Sequence, residues 1–158
     1  MTLQDHANLI AGKLLNMEQL WKLTGRGPNE DQKRAIKNVD GPLLIIAGPG
    51  SGKTFTLVER IIYLVIEKHV EPENLLVVTF TEKAAQELTT RISNRLIAVG
   101  ARFNLNEMYL GTFHSICLRW LEEYREFTRL KRNFTMMDQF DQQYFIYQRM
   151  SDYAGIEN

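Results

Sequence analysis

A chain of 158 residues that is 44% hydrophobic has the material for one buried core, and its length alone argues for a single domain. Nineteen lysines and arginines balance nineteen aspartates and glutamates, so no overall field marks a nucleic-acid or membrane partner, and any such surface must be local. Cys117 stands alone, which excludes an internal disulfide, the longest apolar stretch, Ile61 to Ile66, is far too short to span a bilayer, and no basic-then-apolar leader opens the chain; a reducing, cytoplasmic setting is expected.

Met1 to Leu23 carries Leu3, Leu9, Ile10, Leu14, Leu15, Leu20 and Trp21 at mixed helical spacing, which predicts one or two short helices on the edge of the domain. Gly25-Arg26-Gly27-Pro28 interrupts that pattern, and Asn29-Glu30-Asp31-Gln32 then opens a helix to about Asn38. Gln32 has two readings. With Asn29 it forms a capping box that satisfies orphan N–H groups; alternatively its amide offers the paired donor and acceptor that read the Hoogsteen edge of adenine.

Gly41-Pro42 turns the chain into Leu43 to Ala47, an apolar run predicted to be the first, buried strand of a parallel sheet. It feeds Gly48-Pro49-Gly50-Ser51-Gly52-Lys53-Thr54, and a helix is expected from Ser51 to about His69, apolar nearly all round and so largely buried. A glycine-rich run from Gly48 to Ser51, then Gly-Lys-Thr, between a strand and a helix is the pattern of a phosphate-binding loop. Glycines at 48, 50 and 52 let the backbone turn its N–H groups inward around a triphosphate, and the positive end of the following helix adds to the field. Lys53 then reaches the β- and γ-phosphates as a point charge, and the Thr54 hydroxyl suits the Mg²⁺ that bridges them.

Leu75 to Phe80 is a second β-branched apolar run, and strand, helix, strand predicts a right-handed crossover in an α/β sheet with ligands at the carboxyl ends of its strands. Thr81 is placed to cap a helix from Glu82 to about Val99 whose core face is Ala85, Leu88, Ile92 and Leu96. Gly100 stops it. A short strand at Met108 to Leu110 leads to Gly111-Thr112-Phe113-His114 and a helix from Ser115 to about Tyr124. The two corners, Thr79-Phe80-Thr81 and Gly111 to Ser115, are expected on the sheet edge that carries the glycine loop. Hydroxyls and free N–H groups there suit phosphate oxygens, and an exposed Phe80 offers a face for stacking bases; equally, both phenylalanines pack in the core and the threonines merely cap helices. Arg125, Arg129, Lys131 and Arg132 form a basic run, a solvated face or a binding site. Phe134 to Asp138 reads as a short strand and cap, and Gln139 to Tyr153 as a helix whose Phe140, Tyr144, Ile146, Tyr147 and Met150 are core or interface.

Together these pieces resemble one family. Pro28 to Gln32 resembles the glutamine motif of superfamily-one helicases of the UvrD, Rep and PcrA type, and Ala47 to Thr54 resembles their first motif. TFTEKAAQEL, residues 79–88, and GTFHSICLRWL, residues 111–121, look like the next two, and Asn133-Phe134-Thr135 with Asp138 and Gln142 is similar to the entry into their inserted helical subdomain. The resemblance covers roughly residues 28 to 142. It implies an incomplete RecA-like parallel sheet with flanking helices, in a motor that moves 3′ to 5′ along single-stranded DNA and hydrolyses ATP with Mg²⁺. Gln32 would read adenine, Gly48, Pro49, Gly50, Ser51, Gly52, Lys53 and Thr54 would hold triphosphate and metal, and Thr79, Phe80, Thr112 and His114 would face the strand. The implied organisation is a helical arm over 1–27, a partial ATP-binding domain over 28–132 and the start of a helical insertion over 133–158.

Several features depart from that pattern. Pro28 replaces a common leucine, and Glu82 replaces a frequent asparagine, placing an acid near the DNA track. No apolar strand ends in Asp-Glu; Met136-Met137-Asp138-Gln139 is the nearest mimic and lacks the glutamate. The later arginines and the second lobe have no counterpart, so the chain is expected to be the N-terminal piece of a longer helicase that binds nucleotide weakly and does not turn it over. A small-molecule kinase or GTPase on the same loop would need an Arg-rich lid or Asn-Lys-x-Asp, and neither occurs. A non-catalytic single-strand-binding module is the remaining alternative.

Overall fold

The computed structural model describes residues 15–101, 104–131 and 133–149. Leu3, Leu9, Ile10, Leu14, Arg132, Met150 and Tyr153 lie outside these. Helix starts are set by local chemistry. Asn16 and Gln19 exchange side-chain and backbone hydrogen bonds at the start of α1 (Met17–Thr24), and Asn29 and Gln32 do the same at α2 (Glu30–Lys37). The glycine loop leads into α3 (Lys53–Ile66). Thr81 accepts the Ala84 amide at 3.2 Å to begin α4 (Glu82–Ala98), and Asp138 caps α6 (Gln139–Gln148). Between them, α5 spans Phe113–Glu123. Gly25, at φ 60°, supplies the left-handed residue that ends α1.

Two strands, β1 (Leu76–Thr79) and β2 (Tyr109–Thr112), pair in parallel, with Leu76 opposite Tyr109 and Thr79 opposite Thr112. The α/β class is therefore present in reduced form, a small parallel sheet whose strands are linked through α4. The face of α4 expected to be core, Ala85, Leu88, Ile92 and Leu96, is buried.

Leu43 to Ala47 departs from expectation. It forms no strand and joins neither β1 nor β2. Exposure still alternates along it, 38% at Leu43, 83% at Leu44, 43% at Ile45 and 90% at Ile46, with the period of two of an extended chain. A strand exists through its ladder, however, and no described residue supplies one. Nor is Phe134 to Met137 a strand.

The chain divides into two compact units, one ending at Arg119 and one starting at Trp120. In the first, α1, α3 and α4 bury Leu20, Trp21, Ile62, Ile92 and Leu96 in one core with Ile36 of α2. The Arg60 guanidinium on α3 donates to the carbonyls of Ala35 and Asn38, tying α3 to the end of α2. In the second unit, Phe140, Tyr144, Ile146 and Tyr147 of α6 are exposed rather than core, because the apolar residues fall all round this helix and form no single face to bury; Phe140 and Tyr144 stack on each other at 6.5 Å. No helix of the described residues is long and apolar enough to cross a membrane.

Candidate functional site

The glycine loop is held by its own polar groups. The Gly48 carbonyl accepts from the Ser51 hydroxyl at 2.7 Å, the Lys53 ammonium at 2.8 Å and the Ser51 amide at 3.3 Å, and Lys53 Nζ also donates to the Ala47 carbonyl at 3.1 Å. Three donors share one oxygen with two lone pairs. Lys53 is thus the contact most easily given up to a stronger acceptor, and it stands exposed on the loop. Gly50 and Gly52, at φ 74° and 85°, occupy the left-handed region that favours glycine.

How α3 starts sets it apart. Each of the other described α-helices has a side-chain oxygen accepting its third amide, from Asn16, Asn29, Thr81, Thr112 or Asp138. The α3 helix has Gly52 at that position, no side-chain cap and no acid in its first turn. Its first amides have no intrahelical acceptor, so the positive end of α3 is left for an outside anion. Thr54, in that first turn, is exposed.

Gln32 sits against this turn. Its Oε1 accepts the Asn29 amide at 3.0 Å and its Nε2 donates to the Ser51 carbonyl at 3.0 Å, so the capping box exists and the same side chain reaches the glycine loop. One N–H and one lone pair of the amide stay uncommitted by these bonds. A Cβ on Gly52 would lie 2.8 Å from Gln32 Nε2 and 3.9 Å from Phe55 Cβ, so the amide and the base of the Phe55 side chain both lie close to Gly52. In the first turn of α2, Lys33 hydrogen-bonds Glu30 at 2.8 Å and its ammonium draws the Glu30 carboxyl below its ordinary range.

Phe55 also walls a cavity of about 240 Å³, with Arg26, Glu59, Arg91 and Arg95 among its lining. The Arg26 and Arg95 guanidiniums stand 5.6 and 6.0 Å from the Phe55 ring centre. Glu59, fully buried, accepts from Trp21 Nε1 at 2.7 Å and from Arg95 Nε at 2.5 Å. Among the described residues, the buried Arg95 Nη2 has no hydrogen-bond partner.

The two corners share one edge, since β1 and β2 are parallel and Thr79 faces Thr112. Phe80 is fully exposed and His114 is exposed, its ring 6.4 Å from that of Phe113 in an edge-on arrangement. Thr79 Oγ1 donates to the Thr81 carbonyl at 3.0 Å. Thr112 differs: it is only 9% exposed, its Oγ1 accepts the Ser115 amide at 3.2 Å, and it donates to Glu82 Oε1 at 2.9 Å. It caps α5 and bridges to α4. No group of three or more His, Cys, Asp or Glu side chains able to hold a metal occurs among the described residues.

Residues 28–158 match the family model for the UvrD/REP helicase N-terminal domain. The chain belongs to that family. It is 45% identical over 116 residues to the ATP-dependent DNA helicase PcrA of Bacillus subtilis, an overlap of 73% of this chain and 15% of that protein. The PcrA proteins of Staphylococcus epidermidis and Staphylococcus aureus are 44% and 45% identical over 114 residues, 72% of this chain and 15% of theirs. The chain thus spans about 15% of the length of these relatives.

Asp138 is the helix cap expected there, while Phe134 to Met137 ahead of it form no strand. Sequence reasoning missed Glu59 and Arg95. Glu59 carried a signal: it lies on one helical face with Phe55, Ile62 and Ile66, where a carboxylate needs buried donors. Arg95 is its distant partner, and nothing local announces the pair. The bond from Thr112 to Glu82 joins residues thirty apart and leaves no local trace either.

Proposed function

We propose that this chain is the ATP-binding N-terminal part of an ATP-dependent 3′–5′ DNA helicase or translocase, built on a phosphate-loop fold. The reading rests above all on the start of α3, where a helix without side-chain cap or acid follows a glycine turn bearing a lysine. Such an end suits a triphosphate. Gly48, Pro49, Gly50, Ser51 and Gly52 line the cradle, and Lys53, exchanging two carbonyls for phosphate oxygens, neutralises their charge. Mg²⁺ bound with the nucleotide neutralises and orients its phosphates. The donor set fits such an ion: Thr54 offers one exposed hydroxyl, and Mg²⁺ in phosphate sites is commonly held by few protein ligands with the phosphates and water supplying the rest. Gln32 keeps the donor and acceptor needed for adenine, and Phe55 with its two guanidiniums offers a wall for the base end of the nucleotide.

A single strand of DNA runs along the corners of β1 and β2, with Phe80 stacking on a base and Thr79, Thr112 and His114 beside the backbone. Residues 28–132 form the partial ATP-binding domain, 133–158 begin a helical insertion, and the catalytic acid, the arginines and the second lobe belong to the rest of a longer protein. The 158-residue chain therefore binds nucleotide without turning it over. Phosphate release measured with and without single-stranded DNA is expected to stay at background. DNA-stimulated release that Lys53→Ala abolishes would overturn the partial-site reading.

A further inference from the structure

Glu82 is the first residue of α4, exposed, two positions after Phe80, and in no ion pair among the described residues. An acid in a first turn favours the helix dipole, and Thr81 already caps the helix. The dipole does not explain why the carboxylate reaches across to the other strand end and takes the Thr112 proton at 2.9 Å. Thr112 has only one proton to give. Ser115 Oγ stands 3.1 Å away but spends its own proton on the Thr112 carbonyl at 2.9 Å. While Glu82 holds the hydroxyl, Thr112 has no donor left for any other oxygen.

We propose that Glu82 sets the strength of single-strand binding at this edge, by occupying with its carboxylate the acceptor position on Thr112 that a backbone phosphate oxygen takes when DNA binds. The proposal rests on the reading that the strand follows the β1 and β2 corners. Carboxylate and phosphate oxygens are both anionic acceptors for a hydroxyl at this distance, and both cannot hold the one proton. Binding therefore displaces Glu82 and brings two negative charges close together. Glutamine at this position keeps the size and the acceptor and removes the charge.

Fluorescence anisotropy with a labelled oligothymidylate, on the whole 158-residue chain, tests this. Glu82→Gln is expected to tighten binding about threefold to fivefold at low salt, the scale of one unit-charge repulsion near water, with the gain shrinking as salt rises. Thr112→Ser, which keeps the donor, should bind like the parent in either background. Thr112→Val should weaken the Glu82→Gln chain more than the parent, because a neutral amide oxygen holds the hydroxyl less firmly than the carboxylate does. Circular dichroism melts establish that each variant is folded; if Thr112→Val is not, Glu82→Ala takes its place and is expected to tighten binding at least as much as glutamine. Unchanged or weaker binding by Glu82→Gln overturns the proposal and leaves Glu82 as a brace between strand ends. Phe80→Ala separates the two levels. If the parent does not bind, or binds and Phe80→Ala makes no difference, the strand is not at this edge and the underlying reading fails. If Phe80→Ala weakens binding while Glu82→Gln does not tighten it, only the role of Glu82 falls.

Discussion

Removing the Glu59 carboxylate should destabilise the chain more than any change to the glycine loop. In Glu59→Ala, the Arg95 guanidinium, 16% exposed, loses its partner carboxylate and Trp21 Nε1 loses its acceptor. Breaking a buried ion pair from one side costs about 3–5 kcal/mol, and an orphaned buried N–H adds about 1–3 kcal/mol. Because Arg95 keeps some access to water, a total near the lower end, about 4 kcal/mol, is expected, a large share of the about 5–15 kcal/mol that holds a domain together. Replacing both partners with methionine removes the stranded guanidinium, though not the Trp21 N–H, and should recover the larger part of the loss, since apolar substitution of a buried pair is often neutral. Urea denaturation followed by tryptophan fluorescence reads both variants, Trp21 lying in the contact itself. Glu59→Ala within about 1 kcal/mol of the parent, where surface changes fall, or a double variant no more stable than the single one, would refute the reasoning.

Other outcomes follow from the same geometry. Gly52→Ala places a Cβ at φ 85° and 2.8 Å from Gln32 Nε2; a strain of roughly 1–2 kcal/mol and a displaced amide are expected, seen as lower stability in urea together with weaker nucleotide binding. Ile46→Gln, at a side chain 90% exposed, should leave the stability of this chain within about 0.5 kcal/mol, whereas a residue buried in a completed strand would cost several times more in the same titration. Phe80→Ala should weaken single-strand binding by roughly 1–3 kcal/mol while leaving its thermal melt unchanged, as the ring touches only solvent.

The sequence was readable wherever the physics is local. Asn29 with Gln32 and Thr81 before α4 are caps because the partner amide lies three residues on, and Ala85, Leu88, Ile92 and Leu96 share a face by helical period alone. The same locality explains the glycine loop, whose bonds among Ala47, Gly48, Ser51 and Lys53 close within six residues. What failed to be legible depends on distant partners. Leu43 to Ala47 has the composition of a strand and keeps its alternation, yet pairing needs another strand that the described residues do not contain. Gln32 shows the capping box and, through the other atom of the same amide, a bond to Ser51 nineteen residues away that nothing local announces. Thr112, expected to face a DNA strand or to cap a helix, caps α5 and also donates to Glu82, a juxtaposition created only when β1 and β2 pair.

The central claim is that the uncapped start of α3 and the lysine beside it form a phosphate site. Isothermal titration of the chain with a non-hydrolysable ATP analogue and Mg²⁺, for the parent and for Lys53→Ala, tests it most directly. The parent should bind, and the variant should lose at least about tenfold in affinity, the equivalent of about 1.4 kcal/mol, while keeping the same melt. Parent binding that Lys53→Ala leaves unchanged, or no heat from a folded parent, would contradict it.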